Sequence, residues 1–421
     1  MSTNSSPDGE PLTSIVVGAG VIGVSIALAL QKRGHNVTLI DRKGIGLETS
    51  WGNAGCFAFT EIFPLASPHT MRKAPRWFFD PDGPFSIPPN YAFSIAPWLV
   101  RFALASRPAQ FERSISAQAA LMQLSRTALE AVIADTEGES LVRREGQIQV
   151  YEGQAEFDAA KPERDAKERL GIDFTALLSP DEIASVQPGL SRQFTHGIFV
   201  PGWISAVDPY LWVRHLADRF VERGGVFVEV QCDDVEETND GVEVRAGSTT
   251  YQANHLVIAA GAWSNRLVGQ VSKNVPLETE RGYNVTLQNA GVDLRTKITF
   301  SGHGFIVGRV GEDVRVGGGV ELGGLNNPPR YARAIAMLNK AKSFLPELRT
   351  DDQKLWMGFR PSFPDTLPVI SPLRSQSRII CAFGHGHLGL TQSAGTAQLV
   401  AEMIAGAPPS IPLHPYRIDR F

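Results

Sequence analysis

Residues 14–41, SIVVGAGVIGVSIALALQKRGHNVTLID, constrain this chain more than any other stretch. Ile15, Val16 and Val17 are an apolar run of the kind that forms a buried strand. Gly18-Ala19-Gly20-Val21-Ile22-Gly23 then fits G-x-G-x-x-G. In that pattern the first glycine makes a tight turn and the second lets a pyrophosphate approach the backbone. The third lets the following helix sit close to the sheet. Residues 22–32 read as that helix, whose first turn presents free N–H groups and a positive dipole end. Gly34 stops it, residues 36–40 read as a second strand, and Asp41 ends that strand about 20 residues past the glycines, where an acid can bind a ribose. A lone glycine pattern decides little. Strand, glycines, helix, strand and acid in one unit specify a dinucleotide-binding fold. The competing reading is a membrane anchor, because residues 14–30 carry no charge. Three glycines near its start, no preceding basic residue and an acidic strand end all count against it.

A chain of 421 residues predicts two domains or one elaborated fold. With 43% hydrophobic and 20% charged residues it can bury a large core. A net charge of −4 argues against a general nucleic-acid binder. Residues 1–11 are polar and read as a loose tail. No signal peptide or full transmembrane stretch is apparent, so the expected location is cytoplasmic. The three cysteines, Cys56, Cys232 and Cys381, contain no C-x-x-C and fit a reducing compartment without a zinc site or a disulfide framework.

Parallel-type units recur along the chain. Residues 208–223 read as a helix capped by Asp208-Pro209, followed by a strand at 226–230 and a buried strand at 255–260, HLVIAA. A further strand at 378–383 precedes a last helix at 390–404. Other material interrupts them. Residues 113–133 read as an amphipathic helix, and Ser179-Pro180-Asp181-Glu182 as a capping box. Strands at 283–287, 298–300, 305–309 and 314–317 follow one another without helices, an antiparallel pattern. The predicted fold class is α/β (α+β overall): a discontinuous Rossmann-like domain at 12–62, 195–272 and 355–421, and a second domain at 63–194 and 273–354 built on an antiparallel sheet and helices.

Four stretches carry chemistry. The glycine unit with Asp41 is the first. The second is Val257 to Ser264, VIAAGAWS, where small residues at a strand end let a cofactor lie over the sheet's carboxyl edge. In the third, GFRPSFPD, Arg360 ends a strand between prolines, a plausible carboxylate clamp because its planar fork can meet both oxygens. The fourth, GHGHLGLT, is a glycine-rich turn opening a helix, suited to stabilising negative charge. Its two histidines lack nearby carboxylate or cysteine partners, so no metal site is expected.

Together with the loop ETSWGNAG, the ERGY of residues 280–283 and the terminal PYRIDRF, these stretches resemble the FAD-dependent D-amino-acid oxidase superfamily, most closely the bacterial D-amino-acid dehydrogenases. The resemblance spans nearly the whole chain. It implies FAD rather than NAD, held without a covalent tether because no cysteine lies in the GHG or GFIVG stretches. It assigns the cofactor to Gly18, Gly20, Val21, Ile22, Gly23, Asp41 and Arg42 of the first unit, and to Thr49, Ser50, Asn53, Ala54 and Gly55 of the loop. Val235, Ala260, Gly261 and Trp263 follow, then Gly386, His387, Leu388, Gly389, Leu390 and Thr391. It gives Arg360 the substrate carboxylate, with Tyr283 and His303 beside the substrate.

The reaction this implies is oxidation of the Cα–N bond of a D-amino or imino acid to an imine that hydrolyses to a 2-oxo acid. N-methylglycine or hydroxyproline are alternative substrates. A noncatalytic FAD-bearing subunit and an NAD-linked dehydrogenase are alternatives of other kinds. No dedicated general base is evident. The electron acceptor is open among quinone, oxygen and a partner protein. Residues 63–105, rich in aromatics and prolines with Arg72, Lys73, Arg76 and Arg101 among them, are a candidate for peripheral membrane contact. The competing reading packs those aromatics into the second domain. Pro75, Pro81, Pro84, Pro88, Pro89 and Pro97 argue against one continuous helix.

Overall fold

A computed structural model describes residues 11–72, 83 and 85–421. The glycine unit forms as its sequence dictates: strand Thr13–Val17, helix Val21–Lys32, strand Asn36–Asp41. Four parallel pairings and one antiparallel edge build a six-stranded sheet. Its order is Val226–Glu229, Asn36–Asp41, Thr13–Val17, His255–Ile258, Ile379–Phe383 and Val369–Pro372. Strands buried on both faces need continuous apolar runs, and IVV, HLVI and IICAF supply them. On one face lie helices Val21–Lys32, Pro108–Thr136, Pro209–Glu222 and Gly389–Ile404. On the other lies a three-stranded meander, Cys232–Glu237, Val242–Ala246 and Thr249–Ala253. Asp208 caps its helix as expected, its carboxylate accepting from the Tyr210 and Leu211 amides.

The second sheet has nine strands. Gln353–Ser362, Glu278–Leu287, Asp313–Leu322, Phe305–Val310 and Lys297–Phe300 pair antiparallel in that order. Lys297–Phe300 then pairs parallel with Gln147–Tyr151, so the sheet is mixed rather than purely antiparallel. Two boundaries differ from the sequence reading. The strand carrying Arg360 runs for ten residues beside Glu278–Leu287, so its residues from 355 onward belong to this sheet and not to the parallel one. His196–Val200 likewise pairs with Gln147–Tyr151. Both strands end where the chain crosses between sheets, and periodicity within a strand carries no mark of which sheet it joins.

Helix Ala92–Ala105, absent from the sequence reading, accommodates Pro97 in its interior. Pro97 lies on an exposed stretch of the helix, where water can meet the carbonyl that its missing N–H leaves unpaired. Trp98 is buried and stacks on Phe102, as the packing alternative expects, whereas Phe93 is exposed. Lys73, Arg76, Trp77 and Phe78 lie outside the described residues.

Candidate cofactor and substrate site

The carboxyl edge of the parallel sheet opens into a cleft with about 1230 Å³ of empty space, the open solvent at its mouth included. Gly18 has φ +110°, and a Cβ there would strike the Ala259 carbonyl. A Cβ on Gly23 would collide with the Gly18 carbonyl oxygen, so that glycine brings helix and turn together behind the cleft. No acid stands in the first helical turn and Gly20 gives no side-chain cap, which leaves the helix end positive for a phosphate. The Val21 amide donates to Ser50 Oγ at 3.0 Å, tying the 49–55 loop to the helix. Asp41 is already engaged: Oδ2 accepts the Ala19 amide at 2.8 Å and Oδ1 the Lys43 amide at 2.9 Å. It steadies the glycine turn while lining the cleft. Arg42 lies over the Trp263 ring at 4.0 Å and pairs with Glu48 at 2.8 Å, forming one cleft wall.

Most of the predicted cofactor residues line this cleft, from Gly18, Gly20, Val21 and Ile22 through Thr49, Ser50 and Asn53 to Ala260 and Gly261, and then Gly386, Gly389 and Leu390. The others do not. Val235 is in the core beneath the meander, its amide bonded to Gln270 and Asp234, and Gln231 and Cys232 line the cleft instead. Thr391 spends its hydroxyl on the Cys56 carbonyl and the Ala58 amide. Leu388 packs against Ile62 and Met122, and His387 is exposed. Ala54 and Gly55 turn their carbonyls away, to Lys297 and to the Ala206 amide.

Behind that loop is a feature the sequence reading missed. Its carbonyls are held one after another from the second sheet. Asn284 donates to Gly52 O at 2.7 Å, Arg315 to Asn53 O at 2.6 Å and, at 3.5 Å, to Trp51 O, and Lys297 to Ala54 O at 2.9 Å. Lys297 also donates to Arg309 O, and Arg315 to Thr286 Oγ1. Neither cation has an ion-pair partner among the described residues, and burial lowers the pKa of both below its ordinary value. The available signal was a lone cation inside each of two otherwise apolar or glycine-rich strands, KITF and VRVGGG.

Arg360 sits beyond the same loop. Trp356, Gly358, Arg360 and Ser362 share one face of their strand by its alternation of sides. Trp356 covers Gly358 and meets Gly52 of the loop. Ser362 bridges to His385, whose turn lines the cleft. Arg360 lies between these two contacts, so it stands between the two loops that shape the cleft. Its guanidinium lies flat on Gly282, where a Cβ would come to 2.5 Å from Nε. Its Nη1 donates a hydrogen bond to Gly319 O at 2.9 Å. Burial lowers its pKa while Glu280 opposes the shift. His385 is buried, its pKa pushed down to about 3, and its Nε2 lies 3.0 Å from Thr396 Oγ1, so the ring beside the cleft is neutral.

Tyr283 and His303 do not join Arg360. Side alternation puts Tyr283, Val285 and Leu287 against helix Ala332–Phe344, on the face opposite Gly282. The Tyr283 hydroxyl donates to Glu321 at 3.0 Å and accepts the Arg330 amide at 3.0 Å. His303 stands 2.9 Å from Glu152 and packs on Phe344. Both border a separate, partly open hollow on the helix side, whose lining shares no residue with the cleft.

Residues 14–403 match the family described as FAD dependent oxidoreductase, DAO. The D-amino-acid oxidase of Bradyrhizobium diazoefficiens is 32% identical over 424 residues, spanning 99% of this chain and 100% of that protein. A D-amino acid dehydrogenase of Agrobacterium fabrum is 30% identical, spanning 96% and 99%. Glycine oxidase from Geobacillus kaustophilus shares the fold with a TM-score of 0.77 at 20% identity, over 97% of this chain and 99% of that one. L-proline dehydrogenase from P. horikoshii does so at 0.74 and 17% identity, over 98% of each. The glycine cradle, the cleft at the carboxyl edge of the sheet and these matches along almost the whole length lead to one assignment: the chain belongs to the DAO family of FAD-dependent oxidoreductases.

Proposed function

We propose that this oxidoreductase acts on the Cα–N bond of a D-amino or imino acid whose carboxylate is held by Arg360. The observation that carries the reading is the state of that arginine. It is held between the two cleft loops, flat on a glycine, with one backbone hydrogen bond and no ion pair among the described residues. Its remaining N–H donors match the two oxygens of a carboxylate. FAD, when bound, supplies the two-electron acceptor. The chain's own part is to hold the phosphates at Gly18–Gly23, to fix the substrate by its carboxylate and to keep a positive helix end at Gly389. The D-handed substrates named for the two relatives above support the handedness. Anaerobic addition of D- and L-amino acids, imino acids and N-methylated glycines to the yellow protein tests it. Bleaching by a carboxylate-bearing amine that is lost in Arg360→Ala is the expected result. A chain that stays yellow with every member of the panel is a noncatalytic subunit instead.

The acceptor reading is a quinone in an anionic bilayer, reached through helix Ala92–Ala105. Phe93, Pro97, Val100 and Leu104 fall within about 60° of one another around it. Phe93 is 94% exposed and Val100 61%, with Arg101 and Arg107 alongside. No described helix is long and apolar enough to cross a membrane, so the contact is peripheral. Co-sedimentation with anionic liposomes at low salt, lost when Phe93, Val100 and Leu104 are all changed to serine, is expected. Wild-type protein remaining in the supernatant points to oxygen or a soluble partner.

A further inference from the structure

Glu280 lies directly opposite Arg360 on the neighbouring strand. Opposed residues of an antiparallel pair point to the same face with Cβ atoms roughly 4.5–5.5 Å apart. The carboxyl is therefore delivered to the face that bears the clamp. The two side chains nevertheless form no ion pair within 4 Å. Arg360 leans toward Gly282 and Gly319, and the Ser362 side chain near Glu280 favours its charged form. Glu280 is 2% exposed, and its Oε2 has no hydrogen-bond partner. Buried carboxylate oxygens rarely go unpaired, so this one asks for a donor. An α-amino acid gripped by Arg360 carries an ammonium on the carbon next to its carboxylate, and that ammonium is such a donor.

We propose that Glu280 receives the proton which the substrate's ammonium sheds before its nitrogen lone pair can form the C=N bond. The N–H bond breaks, its electron pair stays on nitrogen, and the proton passes to Oε2, leaving a neutral amine and a neutral carboxylic acid. This rests on the assignment of the substrate carboxylate to Arg360. Burial raises the Glu280 pKa above the ordinary carboxylate value, opposed by Ser362 and Arg360, in the direction a base working near neutrality requires. The other groups around it are few. Glu278, bonded to the Tyr91 hydroxyl, is two residues away on the same strand. His385 adjoins Ser362, and His387 feels the Arg360 charge. Arg281 and Glu321 pair with each other on the opposite face.

The test uses FAD-loaded enzyme, the best substrate from the amino acid panel, and the same carboxylic acid lacking the amine. Glu280→Gln keeps shape and removes the base. Expected are wild-type flavin content and binding of the amine-free acid within about threefold. The kcat/KM at pH 7 falls by roughly 10²–10⁴-fold and climbs with pH as solvent deprotonates the amine. Glu280→Asp recovers part of the rate and the wild-type profile shape. An unchanged rate and profile in Glu280→Gln overturns the proposal. So does joint loss of turnover and acid binding, which makes Glu280 a support for Arg360 only. Failure of the Arg360 assignment reads differently: Arg360→Ala would bind the amine-free acid as tightly as wild type.

Discussion

Gly282→Ala tests the placement of the clamp without touching its charge. The added methyl would come to 2.5 Å from Arg360 Nε and closer still to Nη2, whereas ordinary Cβ contacts begin at 3.4 Å. The guanidinium must lift by about 1 Å, and a misplacement of that size costs roughly 100-fold, or about 2.7 kcal/mol of transition-state binding. Gly282 faces Gly358 across the strand pair, and Trp356 covers Gly358, so the strand itself has no room to retreat. Crowding should also lower stability by about 1–3 kcal/mol. The assay is kcat/KM on purified, fully FAD-loaded variant, beside a thermal melt and a flavin spectrum. Tyr283→Phe is the control, because its hydroxyl lies on the other face, and its kcat/KM should stay within a few-fold of wild type. A folded, yellow Gly282→Ala enzyme with wild-type kcat/KM would refute the idea that Arg360 works from that bed.

Arg360→Lys keeps a cation but loses the fork, and kcat/KM for carboxylate substrates should fall at least tenfold with FAD content unchanged; equal activity would mean that charge alone suffices. Lys297→Met leaves the carbonyls of Ala54 and Arg309 without their donor; each orphaned group costs about 1–3 kcal/mol, and gel filtration should strip FAD from this variant faster than from wild type. Asp41→Ala frees the Ala19 and Lys43 amides and should likewise weaken FAD retention, while the rate of the flavin that remains is unchanged. Burial, then His35 and Arg378, lower the His255 pKa from 6.5 to about 4. The unfolded chain binds that proton first, so its contribution to stability is whole above pH 6.5 and is lost as pH falls from 6.5 to 4. Melting temperature should drop across that window, and less steeply in His255→Phe.

The glycine unit could be read from sequence because every constraint in it is local: a turn, a helix start and a strand end within 28 residues. The place of Arg360 near the end of its strand was legible for a similar reason, beside Pro361. Tyr283 was misplaced although the pattern that places it is visible: Tyr283, Val285 and Leu287 alternate as one apolar face, which sends the tyrosine toward the helix. Motif position outweighed parity. Glu280 and Gly282 are on the other parity, and their importance comes from Arg360, 80 residues away in sequence from its partner strand position. The cations under the 49–55 loop were hidden for the same cause, since Arg315 meets Asn53 across 262 residues. Such contacts leave no periodic trace.

Because those carbonyls are gripped from the second sheet, flavin occupancy and the stability of that sheet should be linked. Phosphates held at the glycine turn, as proposed above, would stabilise the 49–55 loop through Ser50, and the loop's carbonyls would hand that stabilisation to Asn284, Lys297 and Arg315. Added FAD should therefore protect backbone amides in strands Glu278–Leu287 and Asp313–Leu322 from hydrogen exchange, although neither strand belongs to the nucleotide sheet. A core damaged far out in the second domain would show first as a paler protein, and growth conditions poor in flavin would show as a loss of fold in the half of the molecule that never holds a phosphate.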